Sequence, residues 1–108
     1  MKPAPLYVDA SRLCVWLLEH LGDRQEVLAR RLCGTALDLL EHLTLALKGR
    51  GRDERIDHAD EELLLLRVQL RLAGTVDMLS ESQMLFALEQ ADGIGRQLGG
   101  WRASLGAL

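Results

Sequence analysis

Aromatic residues are scarce in this 108-residue chain: one tyrosine, one phenylalanine and two tryptophans make up 4% of it. That scarcity excludes a row of stacking platforms for single-stranded bases, and Trp16 and Trp101, isolated at helical spacing, read as packing residues. Proline occurs only twice and no run of β-branched residues is present. Nothing in the composition therefore favours strands, and an all-α protein is expected. The two cysteines, Cys14 and Cys33, sit on apolar helical positions without a CxxC spacing, which removes a redox motif and leaves small buried hydrophobes. No uncharged apolar run approaches the roughly 20 residues of a membrane-spanning helix, and the opening residues lack a basic segment followed by an apolar core. A cytoplasmic protein without a membrane partner is expected.

Catalytic signatures are missing as well. His20, His42 and His58 fall in different elements, and no nucleophile, base and orienting group are spelled out together. Asp38 and His42 lie one helical turn apart beside Glu41, but no second E-x-x-H pair accompanies them, so neither a metal nor another cofactor is expected. A metal-dependent bundle core would need Asp38 and His42 to face inward. The expectation is a protein that is not an enzyme.

What the chain has is leucine at helical spacing. A helix from about Leu6 to Leu21 places Tyr7, Ala10, Cys14, Leu17 and Leu21 on one seam, and Gly22-Asp23 ends it. A second, from about Gln25 to Lys48, carries Ala29, Cys33, Ala36, Leu40, Leu43 and Leu47, with Leu28, Leu32 and Leu39 alongside. A polar loop is expected from Gly49 to Asp57. A third helix, from about His58 to Met78, carries two apolar seams: Leu63, Leu66, Leu70 and Ala73 on one, Leu65, Val68, Leu72 and Val76 on the other. Two faces exceed what one bundle core needs, which implies either a partner surface or a more deeply buried central helix. Ser80 and Gln83 form an S-x-x-Q capping box that starts a fourth helix running to about Ser104. Short loops between four helices imply an up-down-up-down antiparallel four-helix bundle, a single domain over residues 1–108.

Charge is unevenly divided. Residues 53–62 hold six of the sixteen acids and one of the thirteen bases, leaving twelve bases against ten acids elsewhere despite a net charge of −3. Asp60, Glu61 and Glu62 would complement the dipole at a helix start there. Lys48, Arg50 and Arg52 gather at the second loop, Arg24, Arg30 and Arg31 lie toward the other end of the second helix, and Arg67 and Arg71 are one turn apart on the third. The first six are candidate phosphate contacts for nucleic acid, because grouped cations neutralise phosphates without reading sequence.

The last helix holds a further oddity. Met84, Ala87, Ala91, Ile94, Leu98, Trp101 and Leu105 alternate steps of three and four, yet Gly95 and Gly99 sit within that run at a cost of about 1 kcal/mol each relative to alanine. Close approach of another surface, inside the fold or from a partner, would account for them.

Leu66-Arg67, Leu70-Arg71-Leu72-Ala73, Met78-Leu79-Ser80 with Gln83, and above all Ile94-Gly95-Arg96-Gln97-Leu98-Gly99-Gly100-Trp101 carry a resemblance. Trp16-Leu17-Leu18 and Ala36-Leu37-Asp38-Leu39-Leu40-Glu41 extend it into the first half. The chain resembles the accessory variability determinant (Avd) proteins of diversity-generating retroelements, and more broadly four-helix-bundle proteins of the S23 type. The resemblance implies a homopentameric barrel that binds RNA or an RNA/DNA hybrid and associates with a reverse transcriptase, assisting cDNA synthesis without catalysing it. Leu65, Val68, Leu72, Gly95, Gly99 and Trp101 become candidates for the oligomer or helix-packing interface. The alternative is an S23-type structural or protein-interaction module that contacts only protein.

Overall fold

The computed structural model describes residues 4–106. Four helices account for almost all of them: α1 (Ala4–Leu21), α2 (Val27–Leu47), α3 (Arg52–Thr75) and α4 (Glu81–Gly106). Each packs only on its two neighbours in a ring, α1 on α2, α2 on α3, α3 on α4 and α4 on α1. Opposite directions are visible in the contacts themselves. Asp9 and Trp16 of α1 meet Gln97 and Phe86 of α4 in reversed order. Likewise Asp57, Asp60 and Arg67 of α3 meet Arg102 and Asp92 of α4. The result is the up-down-up-down antiparallel bundle, 45 Å long and about 20 Å across.

One continuous core fills the ring. Leu6, Leu17, Leu21, Leu32, Leu39, Leu43, Leu63, Leu66, Leu70, Ile94 and Leu98 are essentially inaccessible to water, and each such side chain favours folding by about 1.5–3 kcal/mol before chain entropy is subtracted. On α1 the inward face is turned slightly from the expected seam: Leu6 and Leu13 are buried and Tyr7 is 42% exposed. On α2, Thr35 and Ala46 join the core, and the Thr35 hydroxyl donates to the Arg31 carbonyl one turn back at 2.9 Å.

The helix ends follow local chemistry. α2 closes in a Schellman arrangement, with Gly49 at φ 76°, its N–H donating to the Ala46 carbonyl and the Arg50 N–H to the Leu45 carbonyl. Ser80 and Gln83 cap α4 reciprocally: the Gln83 N–H donates to Ser80 Oγ at 3.1 Å and the Ser80 N–H to Gln83 Oε1 at 2.9 Å. The expected loop over 49–57 is shorter than its polarity suggested. α3 starts at Arg52, because Ile56 and Ala59 reach the core and anchor those charged turns. Asp53 and Glu54, rather than Asp60 to Glu62, occupy the first turn and face the helix dipole.

Candidate interaction surfaces

The second apolar seam of α3 is not part of the core. Leu65, Val68, Leu72 and Val76 are 50, 51, 49 and 61% exposed, whereas Leu63, Leu66, Leu70 and Ala73 are buried. At 100° per residue, Val68 stands nearly opposite the buried stripe of Ile56, Ala59, Leu63, Leu66, Leu70 and Ala73, with Leu65 and Leu72 beside it on the solvent side. A more deeply buried central helix is thereby ruled out. With Leu64 also exposed, α3 and its C-cap Val76 present five large aliphatic side chains to solvent, a candidate interaction surface.

The glycine-rich ending resolves into separate roles. Ile94, Leu98 and Trp101 lie in the core, so Trp101 serves packing within the chain. Gly95 is approached closely, but by a side chain rather than a helix backbone. The Arg67 guanidinium lies across it, with Nε donating to Asp92 Oδ1 at 2.8 Å, and a Cβ at position 95 would stand 2.7 Å from Arg67 Nη2. Gly99 differs from the expectation of a tight contact inside the fold: it is exposed, and a Cβ there would meet nothing within 4 Å. Gln97 donates to Asp9 Oδ2 at 2.6 Å and ties α4 to α1.

The six candidate phosphate contacts fall into two groups that the fold holds apart. Arg24, Arg30 and Arg31 lie at the α1–α2 end, and Lys48, Arg50 and Arg52 at the α2–α3 end. Along α2 the nearest members, Arg31 and the C-cap Lys48, stand about 25 Å apart. Arg24 is engaged by the Glu26 carboxylate, and that hydrogen bond pushes the guanidinium pKa up and the carboxyl pKa down. Arg30, Arg31, Lys48, Arg50 and Arg52 are exposed, and none has a carboxylate at ion-pairing distance among the described residues.

Several groupings join residues far apart in sequence. Arg102 is clamped by Asp57 and Asp60 at 2.6 and 2.7 Å. Trp16 stacks on His20 at 4.0 Å and meets Phe86 of α4 at 5.4 Å. Trp16 and His20, one turn apart, were open to detection by helical spacing; Phe86 was not. His42 faces α3, where the Arg55 guanidinium donates to its Nδ1 at 3.1 Å and the His58 ring stacks on it at 5.1 Å. Asp38 and His42 thus do not enter the core, and no set of three or more metal-ligating side chains converges among the described residues. Both free cysteines are buried, and burial pushes both thiols up in pKa, Cys14 also under the influence of Cys33, which disfavours the thiolate.

These features define a four-helix-bundle protein with one closed core and a second apolar face left uncovered on α3. The family model described as bAvd-like matches residues 17–105, spanning α2, α3 and nearly all of α4, and the chain belongs to that family. No curated protein and no solved structure matches it. No helix among the described residues is long and apolar enough to cross a membrane.

Proposed function

We propose that this protein is a non-catalytic accessory factor of a diversity-generating retroelement, acting in the cytoplasm as a homo-oligomer beside the reverse transcriptase. Family membership supports the accessory role. The observation that carries the assembly is the outward row Leu64, Leu65, Val68, Leu72 and Val76, apolar surface that one copy leaves in water and a second copy would cover. A homopentameric barrel is the arrangement proposed. Its RNA or RNA/DNA partner would be held through phosphates by Arg30, Arg31, Lys48, Arg50 and Arg52, with Arg24 weakened by its partner Glu26.

Light scattering at micromolar concentration, followed by titration of a structured RNA at two salt concentrations, tests both halves. A multimer whose RNA affinity falls steeply with salt supports the proposal. A monomer overturns the assembly, and failure to bind RNA at low salt overturns the nucleic-acid role. The protein-only S23-type reading draws on the net charge of −3 and the separation of the basic clusters, and a multimer that ignores RNA would establish it.

A further inference from the structure

At the α2–α3 end of the bundle is a cavity of about 270 Å³ lined by His42, Arg50, Gly51, Glu54, Arg55 and His58. Four of those six residues carry side-chain N–H donors, and the helix they adjoin adds more. Gly51 is the N-cap of α3, in the left-handed region with φ 59° and without a side-chain cap hydrogen bond. Its first intrahelical bond is donated by Arg55 to the Gly51 carbonyl, so the N–H groups of the first turn lack intrahelical acceptors. The loop that bears Arg50 is held by the Schellman closure at Gly49.

The two imidazoles are poised differently. A guanidinium has only donors, so in its contact with Arg55 at 3.1 Å His42 Nδ1 accepts. Its Nε2 then carries hydrogen. His58, stacked on His42, has Glu54 Oε1 at 3.6 Å from Nε2 and Glu61 Oε1 at 3.4 Å from Nδ1. Asp38 and Glu62 stand near His42 on the flank of the cluster, but Glu54 is the acid that lines the cavity, and its side chain is 80% exposed and able to turn outward.

We propose that this cavity binds a phosphoryl oxyanion, gripped by Arg50 and Arg55 and by ring N–H groups of His42 and His58. Arginine supplies the planar fork that suits phosphate oxygens, the imidazoles supply further donors, and the start of α3 adds a favourable dipole. The inference deepens the nucleic-acid reading at one site. It distinguishes a formed anion pocket from the open surface around Arg30, Arg31, Lys48 and Arg52. The same chemistry is offered by free phosphate, by the 5′-phosphate of a nucleic acid and by a backbone phosphodiester.

The test is titration of the full-length protein with inorganic phosphate at constant ionic strength, following the imidazole resonances of His42 and His58 by NMR. Saturable shifts of both rings are expected. Arg50→Gln, at an exposed position without an internal side-chain partner, should weaken binding at least tenfold, and Arg55→Gln should do the same. Glu54→Gln should tighten it severalfold by removing the competing carboxylate. Absence of saturable imidazole shifts, or a titration indifferent to both arginine substitutions, overturns the pocket. RNA oligonucleotides with a 5′-phosphate or a 5′-hydroxyl then identify the source. Tighter binding of the phosphorylated form assigns the terminal group, and equal affinities that both fall in Arg50→Gln assign the backbone. RNA binding that ignores Arg50→Gln, beside phosphate binding that needs Arg50, assigns free phosphate and leaves the accessory reading intact, whereas RNA binding without saturable phosphate binding removes the pocket alone. Phosphate binding without RNA binding does the reverse.

Discussion

Replacing Gly99 by alanine should make the isolated bundle more stable. The residue lies inside α4, seven positions before its end, is exposed, and has open space where a Cβ would be built. The methyl group therefore meets no opposition, and the substitution removes the entropic penalty of a helical glycine, worth about 0.5–1 kcal/mol. For a domain of this size that corresponds to a rise in Tm of about 2–6 °C. Gly95→Ala is the matched control. It gains the same propensity, but its Cβ would stand 2.7 Å from Arg67 Nη2 and dislodge that guanidinium from Asp92. A half-exposed ion pair of this kind contributes about 0–1 kcal/mol, so gain and loss nearly cancel and Tm should move by no more than about 2 °C. Thermal melts by circular dichroism, repeated across a wide range of protein concentration, read both variants. A lower Tm for Gly99→Ala would refute the reasoning, because it would mean that a surface outside this chain already packs against that glycine.

Val68→Lys with Leu72→Lys should abolish self-association in sedimentation experiments while changing the urea midpoint of the dissociated protein little, since exposed positions usually shift stability by no more than about 0.5 kcal/mol; coupled loss of helicity would reassign that seam to the core. Ser80→Ala should cost about 0.5–2 kcal/mol in urea unfolding by removing the Gln83 N–H acceptor at the start of α4. Burial, followed by Asp38 and Glu61, raises the carboxyl pKa of Glu62, whereas His42 and His58 oppose the shift. A carboxyl whose folded pKa lies above its unfolded value binds more protons when folded, so its ionisation erodes stability as pH rises from the unfolded pKa through the folded one. Glu62→Gln should accordingly raise the urea midpoint at neutral pH, with the advantage shrinking on acidification through the carboxylate range; an unchanged midpoint at both pH values would contradict this.

The core was legible wherever one helix carried one stripe. Leu63, Leu66, Leu70 and Ala73 follow the helical period, as do Ala87, Ala91, Ile94 and Leu98, and the structure buries all of them. The Ser80–Gln83 cap was equally readable, because its bonds join residues three apart. The start of α3 was hidden by its charges: in residues 52–57 only Ile56 faces the core, too sparse a signal for a periodicity to emerge. The spacing predicts Tyr7 inward, but it is exposed because α1 turns its inward stripe toward Leu6 and Leu13, a rotation fixed by packing rather than by local pattern. The Gly95–Arg67 contact, the Arg55–His42 bond and the Arg102 clamp all cross between helices, and spacing along one helix carries no information about such pairs. The cavity beside α3 is invisible to the sequence for the same reason, although the charge of Arg50 marks one of its lining residues.

The four seams of the ring are unequal, and that inequality has a kinetic meaning. α2 and α3 share the most extensive interface and are joined by only four residues, so they form a local hairpin whose closure costs little chain entropy. α1 and α4 share the sparsest interface, and the Asp9–Gln97 bond within it spans 88 positions of the sequence. That seam should act as the clasp of the ring, the last to fasten during folding and the first to loosen by sub-global opening. When it loosens, the hairpin and the outward leucines of α3 should stay in place, and amide exchange in α1 should outpace that in α2 and α3. The uncovered apolar face of α3 would thus be carried by the most persistent part of the molecule.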